Sequence, residues 1–278
     1  MAHEALPTPA VRHLRCAEQN RGPGLSGTLA VVPCSSAFNH LRPGSRPFTS
    51  SALRGRNVVA HTLSTLAGCP SVTDINVLTD ERSRGEIEEC LTGSLIGTRV
   101  LLLPTVPPGT EVRSLLAHSA HLAAEQGCTN VLVHRLTHAL TSARLIGSVA
   151  EALESDNDVV VPAIPVVDSI KVVRDDGTGL ISDAVDRDLV RTLQSPWGFS
   201  VEALRLVEDL PPVRTDGPWS GATSVRQSFV ALAHGIAKHM GREVTVLPGE
   251  MQAIPMISLV DMIRAEIFHE GSAAFRKL

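Results

Sequence analysis

Short apolar segments alternate with helix-length amphipathic segments through most of this 278-residue chain. The candidate strands are residues 28–32, 74–78, 99–103, 130–133 and 158–161. Strands this apolar are typical of a sheet that is covered on both faces, and parallel neighbours are joined by right-handed crossovers. The alternation therefore predicts an α/β protein with a Rossmann-like, doubly wound, mostly parallel sheet.

The segments between and after these strands have helical spacing. Helices are expected at residues 50–66, 83–91, 111–125, 142–153, 201–207, 224–240 and 258–270. Ser83 and Glu86 have the spacing of a capping box, which makes Ser83 the expected N-cap of its helix. Ser258 is the expected N-cap of the last helix, and Gly241 is expected to end the one before it.

A different pattern begins near residue 164, where two strand-like segments flank Asp176 and Gly177. Asp-Gly is a typical β-hairpin turn, so we expect a β-hairpin arm at about residues 164–187 that projects from the sheet. Apolar side chains at alternating arm positions are Val166, Ile170 and Val172. Such a face needs a covering surface, which favours a homodimer with the arm at its interface.

The first 26 residues hold Pro, Gly and charges of both signs without a sustained apolar period. We therefore expect residues 1–26 to be a flexible N-terminal tail. The remaining residues, 27–278, are expected to form a single domain that includes the arm.

Composition excludes several classes of function. The chain carries 25 basic and 29 acidic residues, and this balance argues against a nucleic-acid partner. No apolar run reaches the roughly 18 to 20 residues that span a bilayer, so no membrane partner is expected. Five cysteines without a C-x-x-C pair favour reduced thiols in a cytoplasmic protein.

Other kinds of catalytic site lack their motifs. Neither G-x-S-x-G nor G-x-G-x-x-G occurs, which weighs against a serine hydrolase and against a dinucleotide enzyme. The eleven histidines include no set of three that converges with acids, so no metal site is expected from them. Cys34 follows the first strand, where it is either an inert buried thiol or a reactive one.

Several segments together resemble one known family. They are AIPVVDSIKVV (163–173), AVDRDLVRTLQSPWGF (184–199), REVTVLPGE (242–250), VDMIRAE (260–266), TLAVVP (28–33) and NVLVH (130–134). In order and spacing they are similar to the 2-C-methyl-D-erythritol 4-phosphate cytidylyltransferases, which have a nucleotidyltransferase-like fold. The resemblance covers about residues 28 to 270.

The resemblance implies a CTP-binding loop after the first strand, but its motif P-A-A-G-x-G-x-R is substituted here. The loop positions that could still face a nucleotide are Ser35, Ser36, His40 and Arg46. Ser36 and Phe38 replace the two glycines, although a backbone that wraps phosphates favours residues without Cβ. The family's Arg falls on His40 and its Lys on Pro47, beside Arg46.

The metal and catalytic positions implied by the resemblance are also substituted. The family motif D-A-A-R-P falls on residues 135–139, so that Arg135 stands where the family Asp helps to hold Mg²⁺. A guanidinium cannot ligate Mg²⁺, which requires oxygen ligands. The catalytic Lys of the closing loop falls on Pro255.

The polyol-phosphate side is retained. The family D-T-I-K corresponds to residues 168–171, in which Ser169 keeps the hydroxyl, and the family D-R corresponds to Asp186 and Arg187. Ser169 and Arg187 are therefore the expected substrate-phosphate residues, because a hydroxyl and a guanidinium fork suit a phosphomonoester. The alternative interpretation is that they are solvent-facing polar residues of a structural arm.

Two functions follow from these substitutions. The first is a catalytically impaired member of the family that needs no cofactor and acts as a binding, regulatory or scaffold subunit. Its partner would be a second copy, an intact cytidylyltransferase or a small phosphomonoester. The alternative is an active enzyme that makes 4-diphosphocytidyl-2-C-methyl-D-erythritol, a CDP-polyol, from CTP and a polyol phosphate with Mg²⁺ in isoprenoid biosynthesis.

Overall fold

The computed structural model describes residues 27–34, 52–53, 56–92, 100–104, 112–174, 177–211, 225–256 and 258–275. The strands are β1 (Gly27–Pro33), β2 (Ala52–Leu53), β3 (Arg56–Asn57), β4 (Asp74–Thr79), β5 (Val100–Pro104), β6 (Cys128–Val133), β7 (Val159–Pro165), β8 (Ile170–Val173), β9 (Ile181–Val185), β10 (Arg191–Leu193), β11 (Trp197–Ser200) and β12 (Thr245–Pro248). The helices are α1 (Val58–Ala67), α2 (Glu81–Leu91), α3 (Val112–Glu125), α4 (Ala143–Glu154), α5 (Val201–Arg205), α6 (Val225–His239) and α7 (Leu259–Phe275). The predicted tail, residues 1–26, lies outside the described residues.

The main sheet has eight strands and is mostly parallel, as predicted. Its order is β10-β7-β11-β6-β1-β4-β5, and β12 pairs with β7. The strands β1, β4, β5 and β6 are parallel neighbours, whereas β10 and β11 run antiparallel to β7. Because β1 lies between β4 and β6, the connection from β1 to β4 and the connection from β6 to β7 lead in opposite directions along the sheet, although their helices α1 and α4 pack on the same face.

The central strand is buried on both faces, which explains why its residues 29–32 are all apolar. Every residue of β1 is buried. Leu29 and Val31 pack in one hydrophobic cluster, with α3 and α5, while Ala30 and Val32 pack in the other, with α1 and α4. The two-residue period of the strand thus divides the core into two layers around the sheet.

Two predicted helix starts are wrong for local reasons. The helix expected from residue 50 begins at Val58, because residues 52–57 include the short hairpin of β2 and β3 and the Asn57 side chain caps the helix at the Val59 N–H. The helix expected from Ser83 begins at Glu81. Asp80 is its N-cap and accepts a hydrogen bond from the Ser83 N–H at 2.8 Å.

The strand β11 was not predicted from the sequence. It is four residues long and contains Gly198, which weakens the strand pattern. A Cβ at Gly198 would lie 2.7 Å from Val149 Cγ1 and 3.0 Å from Leu153 Cδ1 on α4. Glycine is therefore required there by the close approach of a helix, which the local sequence does not reveal.

The predicted hairpin arm is present as a separate two-stranded sheet of β8 and β9. Ile170 pairs with Val185 and Val173 with Ile181. Val173 and Ile181 are 51% and 63% exposed, and Val172 is 41% exposed. Val166 and Ile170 are less exposed than the prediction assumed. Within the described residues, no helix is long and apolar enough to cross a bilayer.

Candidate functional site

The carboxyl ends of β1 and β6 lie side by side, and their connections diverge there. In open α/β sheets such a switch point forms the crevice in which ligands bind. Arg135 is the second residue after the end of β6, so it lies at the same edge of the sheet as this crevice. The loop that follows β1 starts at the same edge, but Ser35, Ser36, Phe38, His40, Arg46 and Pro47 all lie outside the described residues.

The backbone of Arg135 is held by a buried hydroxyl. The Arg135 N–H donates to Ser195 Oγ at 3.0 Å, and the same Oγ lies 3.1 Å from His134 Nδ1. The Thr141 hydroxyl donates to the Ser195 carbonyl oxygen at 3.1 Å. Ser195 is 0% exposed and His134 is 2% exposed, so these bonds form in the protein interior. The start of the Arg135 side chain therefore has a fixed position.

His134 is electrically neutral at physiological pH. Burial and, as the smaller cause, the neighbouring positive charge of Arg135 together lower the pKa of His134 to about 4. An imidazolium there would be both desolvated and next to a guanidinium. His134 thus serves as a neutral hydrogen-bond partner of Ser195, and the positive charge beside it is that of Arg135.

A closing loop after β12 is fastened to the same edge of the sheet. The Gln194 side-chain amide donates to the Glu250 carbonyl oxygen at 2.7 Å, and its Oε1 accepts from the Glu250 N–H at 2.9 Å. The Glu250 carboxylate accepts from Ser142 Oγ at 2.6 Å and from Arg144 at 3.3 Å. Further along, the Met256 N–H donates to the Thr137 carbonyl oxygen at 2.8 Å.

Pro255 is brought to the crevice by that last bond. Met256, its neighbour, is bonded to Thr137, which lies two residues after Arg135. The two substituted positions implied by the family resemblance, Arg135 and Pro255, therefore lie at the same edge of the sheet although they are far apart in sequence. A guanidinium offers no oxygen ligand to a metal ion, and a pyrrolidine ring does not supply the positive charge of a lysine.

Arg187 and Ser169 both lie in or at the base of the arm and are exposed. The Arg187 Nη1 donates to the Val167 carbonyl oxygen at 2.9 Å, two residues before Ser169. Asp186 caps the short 3₁₀ turn that carries Arg187 by accepting from the Asp188 N–H. This brings Arg187 to the segment that carries Ser169. Lys171 pairs with Ala184 across the hairpin.

Of the two interpretations of Cys34, the structure supports an inert, buried thiol. It is 3% exposed, and burial, followed by the negative charge of Asp80, raises the pKa of its thiol far above the usual range. A thiol that stays protonated is a poor nucleophile and a poor metal ligand.

Magnesium does not fit the described side chains at this edge. Asp80 caps α2, and the Glu250 carboxylate already accepts from Ser142 and Arg144. Arg135 adds a positive charge at the position where the family resemblance implies a metal-holding Asp. Among the residues that the structure describes, no group of three His, Cys, Asp or Glu side chains could hold a metal ion.

The fold and the crevice define an α/β protein whose ligands are expected at the carboxyl ends of its parallel strands. The family model for 2-C-methyl-D-erythritol 4-phosphate cytidylyltransferase matches residues 30–270. The chain belongs to this family.

Individual relatives agree with this assignment. A 2-C-methyl-D-erythritol 4-phosphate cytidylyltransferase from Rubrobacter xylanophilus is 29% identical over 87% of this chain and 94% of its own. One from Streptomyces avermitilis is 26% identical over 88% and 92%. The crystal structure of 4-diphosphocytidyl-2C-methyl-D-erythritol synthase from Anaerococcus prevotii is similar in fold, with a TM-score of 0.64, 18% identity, and coverage of 88% and 96%.

Sequence reasoning missed the residues that frame the crevice. His134, Gln194, Ser195 and Glu250 were given no role, although they lie within or next to the segments that carried the family resemblance. Their partners are 56 and 61 residues away along the chain. The sequence shows only that polar residues follow apolar strands. It does not indicate which of these polar side chains form hydrogen bonds with each other.

Proposed function

We propose that this chain is a catalytically impaired cytidylyltransferase homologue that acts as a binding, regulatory or scaffold subunit. The observation that carries the proposal is the position of Arg135, which is anchored at the crevice by Ser195 and His134. A fixed cation at that place opposes binding of a divalent metal. Electrostatic stabilisation is usually the largest catalytic contribution, and loss of a single such group commonly costs about 10²–10³ in rate.

The ligand that we propose is a small phosphomonoester bound by Ser169 and Arg187. Arg187 is exposed and its Nη1 is bonded only to a neutral carbonyl oxygen in the described contacts, so the guanidinium keeps its charge available to an anion. A guanidinium can make two charge-assisted hydrogen bonds to a phosphate, whereas the Ser169 hydroxyl can make one.

An active enzyme is the second candidate, and the extent of the family match favours it. Relatives named as 2-C-methyl-D-erythritol 4-phosphate cytidylyltransferases align over almost their whole length. In this case CTP and a polyol phosphate would be the substrates, and Mg²⁺ would require ligands other than Arg135. No step through the metal follows from the described residues.

Calorimetry separates the two candidates. For an impaired homologue, we expect no saturable binding of CTP with Mg²⁺ below about 1 mM. We expect that methylerythritol phosphate or inorganic phosphate does bind. Micromolar binding of CTP with Mg²⁺, or release of pyrophosphate when both substrates are present, would show that the chain is an active enzyme.

Substitutions at the arm test the phosphate site. Arg187→Ala should weaken phosphomonoester binding by roughly tenfold to a hundredfold, because hydrogen bonds to charged groups contribute about 1.5–3 kcal/mol. Ser169→Ala should cost less, and Arg187→Lys should restore binding only in part. Arg205→Ala, on the exposed surface of α5, is the matched control. Equal binding by wild type and Arg187→Ala would assign both residues to the structure of the arm alone.

Pairing of two arms is the assembly that we propose, with an intact cytidylyltransferase as the alternative partner. The support is the exposed apolar surface of β8 and β9, which form a sheet of only two strands. A two-stranded hairpin is marginally stable in water without further packing. Covering Val173 and Ile181 would remove apolar area from solvent and stabilise the arm.

A further inference from the structure

The last helix, α7, carries apolar side chains on two opposite sides. Met262 and Ala265 face the core, in the hydrophobic cluster that β1 enters through Ala30 and Val32. A second set is exposed, namely Val260 at 58%, Ile263 at 52%, Ile267 at 62% and Phe268 at 38%. At about 100° per residue, the first three lie opposite Met262 and Ala265, and the fourth lies at their edge. We call these four exposed residues the outer face of α7.

The charge of α7 narrows the choice of partner for this face. A contiguous exposed apolar surface marks an interaction site. Residues 258–268 include Asp261, Glu266 and Arg264, so this part of the helix has a net negative charge. Two copies of α7 packed face to face would bring two surfaces of the same net charge together, which disfavours a second copy as the occupant. A basic, apolar segment is favoured instead.

Residues 8–17 of this chain form a segment of that kind. Residues 1–26 hold no apolar period over their whole length, but this short part does. Thr8 is a favourable N-cap, and Pro9 is favourable as the first residue of a helix. Apolar residues follow at helical spacing, at Ala10, Val11, Leu14 and Ala17. The sequence therefore predicts a short amphipathic helix over residues 9–17.

The charge of the segment is complementary to that of α7. Residues 8–17 include Arg12 and Arg15 and no acidic residue. Charges at the rim of an interface add little affinity, but they disfavour wrong partners. A helix of this length is marginal in water by itself. It therefore depends on an apolar surface to pack against, and the outer face of α7 is one.

The link between this segment and the described fold is long enough. Gly27, the first residue of β1, lies at the amino edge of the sheet. Residues 18–26, which include Gly22, Pro23 and Gly24, separate it from Ala17 and span up to about 33 Å when extended. A seven-residue strand such as β1 is about 23 Å long, so the link can pass along β1 to the cluster on which α7 packs. Such a tether also raises the effective concentration of the segment to the millimolar range.

We propose that residues 8–17 form a helix that docks on the outer face of α7 of the same chain and covers Val260, Ile263 and Ile267. This inference goes beyond the proposed function and does not depend on it. It also replaces the expectation that the whole of residues 1–26 stays free.

The test is hydrogen–deuterium exchange of the full chain at low micromolar concentration, followed by mass spectrometry. In wild type, the amides of residues 12–17 should exchange at least about tenfold more slowly than those of an unstructured chain, because their hydrogen bonds form only in the docked helix. Ile267→Asp should remove this protection without changing the segment itself, because a carboxylate would be desolvated between the two helices. Leu14→Asp should remove it from the other side. Ile263→Asp replaces Ile267→Asp if circular dichroism shows that the latter does not fold.

Val230→Asp is the matched control. Val230 is an apolar residue of α6 with 41% exposure, and α6 packs on the opposite layer of the core. This variant should keep the protection of residues 12–17, and its loss there would mean that the protection does not come from α7. Unprotected amides in wild type, or protection that survives Ile267→Asp, would overturn the inference. Protection that falls on dilution would overturn it as well, because the segment would then bind another copy.

Discussion

The crevice end of β6 and the arm each carry an arginine, Arg135 and Arg187, but the protein holds the two in opposite ways. Arg135 is anchored through Ser195 and His134, which are buried in the interior. Arg187 is exposed, and its Nη1 is bonded to the Val167 carbonyl oxygen within the arm base. A site in the interior is positioned by the whole fold, whereas a site on a two-stranded hairpin depends on whatever covers the hairpin.

The largest expected contrast is in stability. Phe199→Ala, in the strand beside β6, should lower the free energy of unfolding by about 3–5 kcal/mol, because the ring is 0% exposed in the main core. Ile181→Ala, at a site 63% exposed on the arm, should change it by less than about 0.5 kcal/mol at a protein concentration too low for arms to pair. Urea unfolding followed by circular dichroism measures both. Equal losses would mean that the arm is part of the core.

The next contrast is in how the free energy of unfolding depends on pH, because His134 beside the crevice is buried. The unfolded chain binds a proton at His134 near its ordinary pKa of 6.5, while the folded chain does not until about pH 4. Stability from this residue is therefore present at neutral pH and lost as the pH falls through that window. The loss should reach about 3 kcal/mol by pH 4, at about 1.4 kcal/mol for each pKa unit between 6.5 and 4.

His134→Asn isolates this contribution from the titration of the carboxylates. The variant should be less stable than wild type at neutral pH, and the difference between the two should shrink at about pH 4.5. Urea unfolding at both pH values measures it. A constant difference would show that His134 titrates normally in the folded chain.

A smaller effect is expected where the closing loop is fastened. Glu250→Gln should lower the free energy of unfolding by about 1–3 kcal/mol, because its carboxylate accepts from Ser142 and Arg144 and is only 11% exposed. Glu154→Gln, at the exposed end of α4, is the control and should be nearly neutral. Thermal unfolding followed by circular dichroism compares the two, and a neutral Glu250→Gln would mean that the loop is held mainly by Gln194.

The smallest expected effect on the stability of the core is that of a substitution on the arm, which should instead change the oligomeric state. Ile181→Asp should leave the thermal unfolding of the core almost unchanged but convert a homodimer into a monomer, because a carboxylate would be desolvated between two arms. Analytical ultracentrifugation at micromolar concentration checks this, with Val246→Asp, on the exposed part of β12, as the control. A wild-type monomer would contradict arm pairing.

The layered sheet and the arm could be predicted because their signals are local. Residues 29–32 of β1 are all apolar because both faces of the strand are buried, and the sequence of the arm has an Asp-Gly pair between two strand-like segments. The family assignment was reached from short segments in a fixed order, and it agrees with the match over residues 30–270. The strands and the arm depend on residue type and spacing over short segments, and the family assignment depends on the order of such segments along the chain.

The contacts of the crevice were decided by tertiary structure. The Gln194 side chain bonds to a loop 56 residues away, and Ser195 meets His134 across 61 residues. Gly198 is required because α4 lies so close to β11 that a Cβ at this position would be 2.7 Å from Val149 Cγ1. Periodicity shows which face of an element is buried, but the partner of a buried polar group depends on the register and crossing of elements that are distant in sequence.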